Sequence, residues 1–230
     1  MLLLDNNKTT KTLLTTDQMT KLLLKKLTKT FERRVIFRDL NLEWSGPGLF
    51  GIAGPNGSGK STLVKVVTGL ISATNGEITL ETAGKKLSPS TAIDYIGFAS
   101  PYLTLYDEFT AKENLEFAVN IRGQQLDEAK MDQLLEHFSL LKRKNDLVKA
   151  YSSGMKQRLK IIFAFIHNPA MIILDEPTAN LDAEGKQKVY DLVKQTAKEK
   201  MVIFATNEEE ELAMCDAVIK ILSYQPAGRN

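Results

Sequence analysis

Gly54-Pro55-Asn56-Gly57-Ser58-Gly59-Lys60-Ser61 sets two glycines, Gly54 and Gly59, on either side of four residues and follows them with Lys60 and Ser61. This is the spacing of a phosphate-cradling loop. It comes after an apolar run, Leu49-Phe50-Gly51-Ile52-Ala53, of the length of a buried strand. It precedes Thr62-Leu63-Val64-Lys65-Val66-Val67, which reads as a helix stopped by Gly69. Strand, loop and helix in that order are the context the motif requires. The glycines let backbone N–H groups turn inward around an anion, and the helix start adds free donors and a positive dipole end. The candidate phosphate-binding residues are therefore Gly54, Pro55, Asn56, Gly57, Ser58, Gly59, Lys60, Ser61 and Thr62. Lys60 would reach the outer phosphates of a nucleotide. Ser61, in the first helical turn, can offer its hydroxyl to a Mg2+ ion bridging them. A Gly-rich connecting loop without a ligand is the competing reading of the octet taken alone.

At 230 residues the chain can hold one large domain or a domain with a smaller insert. Thirty Lys and Arg stand against 28 Asp and Glu, so no global field points to nucleic acid or to an anionic surface. The basic run Lys142-Arg143-Lys144 reads as a solvated face. A lone cysteine, Cys215, excludes an internal disulfide and fits a reducing compartment; it also reads as a small buried apolar residue. The longest apolar run, 161–166, is far short of the eighteen or so residues needed to cross a bilayer. An integral membrane protein is not expected. Met1-Leu2-Leu3-Leu4-Asp5 lacks the basic start and apolar core of an export leader.

Residues 1–20, rich in Thr, Asn and Lys, are expected to form a loosely ordered extension, with a tail at 224–230. Leu22-Leu23-Leu24 and Val35-Ile36-Phe37 begin two short strands around Phe31-Glu32-Arg33-Arg34, forming an antiparallel edge. Asn75-Gly76 is a turn signal before an alternating strand at 77–81, and 93–99 looks like a more buried strand. From Asp107 the texture changes: Leu115, Val119, Leu134, Leu135 and Phe138 recur at helical spacing, so about 107–165 reads as a helical insert within a domain spanning 21–223. Strands at 171–174, 202–205 and 218–222 then alternate with helices at 183–198 and 208–214. Strands separated by helices of that length imply an α/β fold with a mostly parallel sheet covered on both faces. The only histidines, His137 and His167, are expected at the surface or in loops.

Met171-Ile172-Ile173-Leu174-Asp175-Glu176 delivers two acids at a strand's carboxyl end, where ligands of parallel sheets bind. Because side chains alternate along a strand, the two acids serve different partners. Asp175 is assigned to the metal and Glu176 to the water that attacks the γ-phosphate; a capping acid before Pro177 is the bland alternative. Tyr151-Ser152-Ser153-Gly154-Met155 opens an apolar helix, so its hydroxyls and N–H groups make a second anion-accepting helix start, or an ordinary N-cap.

In this order the phosphate loop, Ser152-Ser153-Gly154-Met155-Lys156-Gln157-Arg158, Leu174-Asp175-Glu176-Pro177-Thr178 and Ala179-Asn180-Leu181-Asp182 strongly resemble the ATP-binding cassette (ABC) ATPases, over about residues 22–222. The resemblance implies the P-loop NTPase fold of that family, with an antiparallel β subdomain and a helical insert. It implies ATP and Mg2+ as ligands. It also implies a head-to-tail dimer with a second ABC ATPase subunit, in which Ser152, Ser153, Gly154 and Met155 of one subunit close on the γ-phosphate held by the other. Asp182 would lie at the dimer seam. Phe31 would stack on adenine, though it also reads as a turn residue packed in the core.

Two positions depart from the family, and both concern the trigger for hydrolysis. Pro101 stands where a glutamine normally contacts Mg2+, the water and the membrane partner. Asn207 stands where the family usually has a switch histidine; it can hydrogen-bond a phosphate oxygen but cannot carry a proton's charge. Ser100 is a candidate to replace part of the glutamine contact. Either Glu176, with Lys60 and Asn207, suffices for turnover, or the chain is a degenerate subunit that binds ATP and clamps. The favoured reading is an exporter-type ABC transporter ATPase, held at the cytoplasmic face of the cell membrane by a separate transmembrane permease docked on the helical insert and residues 101–110. The alternative is a soluble cassette acting on ribosomes or nucleic acid; no nucleic-acid partner is expected, since the chain carries neither paired cassettes nor a basic extension.

Overall fold

The computed structural model describes residues 19–226. Strands β1 (Lys21–Phe31) and β2 (Arg34–Ser45) pair antiparallel across a two-residue turn at Glu32 and Arg33, where Glu32 takes a φ of 50°. β3 (Gly48–Ala53) runs into the phosphate loop and helix α1 (Lys60–Val67). β4 (Asn75–Thr82) pairs antiparallel with β1, and β5 (Lys85–Lys86) with β4, so one sheet has the order β2-β1-β4-β5. The short helix α2 (Pro89–Ala92) precedes β6 (Ile96–Ala99), and three helices follow: α3 (Ala111–Asn120), α4 (Glu128–His137) and α5 (Ser153–Phe165). The chain ends on β7 (Met171–Asp175), α6 (Ala183–Thr196), β8 (Met201–Thr206), α7 (Glu209–Ala213) and β9 (Ala217–Lys220). These last strands join β3 and β6 in a second sheet, order β6-β7-β8-β3-β9, with every pair parallel.

Every residue of β3, β7 and β8 is buried, which is what a parallel sheet covered on both faces requires. The period-two alternation of a strand sorts their side chains into two cores. Ile172, Leu174, Val202 and Phe204 face α3, α4 and α5. Met171, Ile173, Met201 and Ile203 face α1 and the antiparallel sheet, among Leu24, Phe37 and Leu63. At about 1.5–3 kcal/mol per buried large apolar side chain, these two layers hold the sheet in place. Trp44 stacks on Phe50 at 4.9 Å and joins the antiparallel sheet to β3. Among the described residues, no helix is long and apolar enough to cross a membrane.

Several expectations need correction. The strands expected to be short near Phe31 run to 11 and 12 residues, with bulges that let them curve over α1. Asn75-Gly76 does not turn; both residues lie inside β4. Gly76 is needed there because a Cβ would stand 2.4 Å from the Lys26 carbonyl oxygen where β1 bulges. Of the strand expected at 93–99, only Ile96–Ala99 forms, and Ile93–Tyr95 is a 3-10 turn. Ser88 caps the preceding helix with Thr91 in a reciprocal pair, so helical geometry persists up to Tyr95. Likewise β9 ends at Lys220 and Ile221–Tyr224 is a 3-10 turn, with Ile221 fully buried. His167 lies in the turn after α5, as the loop alternative had it, but it is buried, with Nε2 3.2 Å from the Ile96 carbonyl oxygen. Of the extension expected at 1–20, residues 1–18 lie outside the described residues, whereas Thr20 is buried and its carbonyl accepts from Gly46 N–H. Residues 227–230 of the expected tail also lie outside them.

Candidate functional site

Strand register assembles the site. Ala53 is level with Thr206, and Asp175 with Ala205, so the residues that follow β3, β7 and β8 emerge together at one edge of the sheet. Those residues are Gly54, Glu176 and Asn207. The carboxyl edge of a parallel sheet is where α/β folds bind ligands.

The phosphate loop is built on left-handed glycines, Gly57 at φ 77° and Gly59 at φ 103°. Gly59 is the N-cap of α1 and supplies no side-chain cap, so the first N–H groups of that helix remain free. A Cβ on Gly57 would meet open space, whereas one on Gly54 would strike Ser58 Oγ at 2.5 Å. Pro55, Asn56 and Gly57 are exposed along the mouth of the loop, Ser61 and Thr62 are half-buried, and Ser58 is buried with its Oγ lacking a protein partner. Lys60 is only 3% exposed, and its Nζ donates to the carbonyl oxygens of Gly54 (2.9 Å) and Pro55 (3.3 Å). It also stands 3.8 Å from Glu176 Oε1.

Asp175 and Glu176 take up separate environments, by a route the strand pattern did not show. Glu176 has left the strand: its φ is 49°, and its N–H donates to the Ala205 carbonyl at 2.9 Å. Its carboxylate is thereby turned to Lys60. Asp175 is buried, and its Oδ1 lacks a protein partner. Burial pushes the Asp175 carboxyl up, and a hydrogen bond with Ser61 partly offsets this. A buried carboxyl with one oxygen unpaired, in the same site as the Ser61 hydroxyl and the Lys60 ammonium, would suit a Mg2+ ion. The orphaned Ser58 and Asp175 oxygens and the open space at Gly57 fit a magnesium nucleotide.

Asn207 is exposed and lines a cavity of about 260 Å3 with Glu176, Thr178 and Glu211. Ser152 is the N-cap of α5, its Oγ accepting from Met155 N–H at 3.2 Å. Ser153 is exposed, and Gly154 lies against the Asn180 carbonyl, where a Cβ would sit 3.4 Å away. Asp182 caps α6, accepting from Gly185 N–H at 2.8 Å. Among the described residues, no hydrogen bond or ion pair joins 152–155 to 54–62. Phe31 is exposed beneath Lys29 Nζ, 4.6 Å from its ring centroid, and lines an open cavity with Arg34 and Arg38. Pro101 sits in the turn after β6; its carbonyl accepts from Lys160 Nζ of α5 at 2.6 Å, and Ser100 beside it is buried. Two contacts escaped the sequence reading. Gln157 Nε2 of α5 donates to the Pro177 carbonyl at 3.0 Å, and Thr178 Oγ1 donates to Glu211 Oε1 at 2.6 Å. Helical phase within α5 points Gln157 to the buried face, whereas Glu211 is hidden in a run of four glutamates.

A phosphate loop on a five-stranded parallel sheet, with a carboxylate pair at the same edge, defines a P-loop nucleotide-binding fold. The family model described as "ABC transporter" matches residues 37–179. The uncharacterized ABC transporter ATP-binding protein YdbJ of Bacillus subtilis is 33% identical over 85% of this chain and 64% of its own length. The lantibiotic transport ATP-binding protein SrtF of Streptococcus pyogenes is 33% identical over 83% of this chain and 82% of its own. Among solved structures, a dimeric post-hydrolysis state of the ATP-binding cassette MJ0796 bound to ADP and Pi superposes with a TM-score of 0.75 at 25% identity, over 87% of this chain and 95% of that one. The chain belongs to the ABC transporter family, as an ATP-binding cassette. It spans less than two thirds of YdbJ.

Proposed function

We propose that the chain is the ATP-binding and hydrolysing subunit of an ABC transporter, powering transport by a separate membrane-spanning partner at the cytoplasmic face of the membrane. Its catalytic domain would be 21–223, with the helical insert at about 107–165 carrying the permease contact. Gly54, Asn56, Gly57, Ser58, Gly59 and Thr62 cradle the phosphates through backbone N–H groups and hydroxyls, while Pro55, which has no N–H, shapes the loop between them. Lys60 exchanges its bonds to the Gly54 and Pro55 carbonyls for the outer phosphates. Ser61 and Asp175 would hold Mg2+, which would supply positive charge to offset that of the phosphates. Glu176 polarises the attacking water and takes its proton, while Asn207 donates to a γ-phosphate oxygen. Phe31 stacks on the base. Ser152, Ser153, Gly154 and Met155 act in a second copy packed head to tail, with Asp182 at the seam. Support for that arrangement comes from the dimeric state of MJ0796.

The observation that carries the proposal is Lys60 Nζ 3.8 Å from Glu176 Oε1, beside a buried Asp175. It sets the phosphate-binding cation next to the water-activating carboxylate. Pro101 and Asn207 favour a second reading, a subunit that clamps ATP without turning it over. Phosphate release from Mg-ATP decides between them. The parent should exceed Glu176→Gln by about 100-fold or more, the typical contribution of a general base. Equal release from the two would overturn hydrolysis and leave the clamp.

A further inference from the structure

Glu211 is fully buried, in a helix whose other glutamates, Glu209 and Glu210, are exposed. One of its carboxyl oxygens accepts from Thr178 Oγ1 at 2.6 Å, and the other is buried with no protein partner. Burial pushes this carboxyl up, while the hydrogen bond from Thr178 pulls it down. Thr178 lies two residues after Glu176, and Thr206 immediately precedes Asn207. Thr206 Oγ1 in turn accepts from Glu208 N–H at 3.0 Å. Tyr190 of α6 reaches the same cluster, its hydroxyl 3.4 Å from Glu210 Oε2. Glu176, Thr178, Thr206, Asn207 and Glu211 thus line one cavity of about 260 Å3.

A half-satisfied buried carboxyl is an expensive way to pack a helix, since an apolar side chain of the same volume would avoid the desolvation. Glu176 needs outside support, because a non-glycine residue at φ 49° is held only where its surroundings over-determine it. We propose that Glu211 is a positioning residue for hydrolysis: its bond to Thr178 fixes the left-handed turn that sets Glu176 against Lys60, in register with Asn207. The inference rests on the reading of Glu176 as the group that activates water. It also accounts for how Asn207 can stand in a switch position, since a residue that offers only a hydrogen bond depends on being held in place.

The test compares Glu211→Met, Thr178→Val, their double variant and Glu211→Gln in Mg-ATP hydrolysis and ATP binding. Glu211→Met and Thr178→Val should each lower kcat by roughly 10- to 100-fold, with KM and ATP affinity within about threefold of the parent. The double variant should lose no more than either single one, because both remove the same bond. Glu211→Gln keeps the acceptor and should restore kcat to within about threefold. Parental kcat in both Glu211→Met and Thr178→Val would overturn the proposal. So would additive losses, a fall in ATP affinity that matches the fall in kcat, or a Glu211→Gln as slow as Glu211→Met. Thr178→Val probes the bond from the other side should Glu211→Met fail to fold. If the parent releases no more phosphate than Glu176→Gln, the proposed hydrolysis fails separately, and amide exchange then reads the positioning. Faster exchange across 176–180 in Thr178→Val but not in Glu211→Gln supports it, and unchanged exchange in both overturns it.

Discussion

Under the proposed function, a buried ammonium facing two loop carbonyls and a carboxylate exchanges those partners for phosphate. Lys60 has that surrounding, and the left-handed turn at Glu176 provides the carboxylate. Away from the site, burial alters the chemistry of His167. Its Nε2 faces the Ile96 carbonyl, its Nδ1 has no protein partner, and Arg122, Lys130 and Lys200 stand near enough to oppose a charge on it. Burial first, then Arg122, pulls its pKa down to about 4. The unfolded chain binds that proton near pH 6.5, so the folded state is favoured above pH 6.5 and loses this contribution as pH falls toward 4. Unfolding measured by urea between pH 7 and 4 should therefore fall more steeply for the parent than for His167→Gln, which keeps a donor for Ile96 and cannot be protonated. Parallel curves would remove His167 from the acid response.

At the scale of elements, β6 packs closely on α5 at Gly97. A Cβ on Gly97 would lie 1.9 Å from the Ala164 carbonyl oxygen and 2.8 Å from Pro169 Cγ. Gly97→Ala should cost about 3 kcal/mol by forcing strand and helix apart, read as a lowered denaturation midpoint. No change would mean that the two elements are loosely joined. The central strands β3, β7 and β8 were legible because full burial writes them as unbroken apolar runs, as in Met171-Ile172-Ile173-Leu174 and Met201-Val202-Ile203-Phe204. The phosphate loop and the acid pair were legible because each stands at the end of such a run. What was hidden depends on pairs distant in sequence. Gly76 reads as a turn until the β1 bulge that crowds it is known, and Ile93-Asp94-Tyr95 reads as a strand until Ser88 and Thr91 are seen to cap a helix. The Thr178 to Glu211 bond spans 33 residues and leaves no periodic trace.

In the whole molecule, two hydrophobic layers clamp one parallel sheet, and the edge they leave open carries the phosphate loop, the acid pair and Asn207. α5 is tied to that edge through Gln157 to Pro177 and Lys160 to Pro101, and its start lies against the Asn180 carbonyl. Under the proposed function, nucleotide bound at the open edge is the origin of every later event: closure on a second copy, hydrolysis, and work on a membrane partner. The measurement closest to that origin is a titration of Mg-ATP into the parent and into Lys60→Ala. The expected result is an affinity about 100-fold weaker in the variant, corresponding to about 3 kcal/mol for a lost charge-assisted phosphate contact. Equal affinity in the two would contradict the assignment of residues 54–62 to phosphate, and with it the proposed use of this cassette.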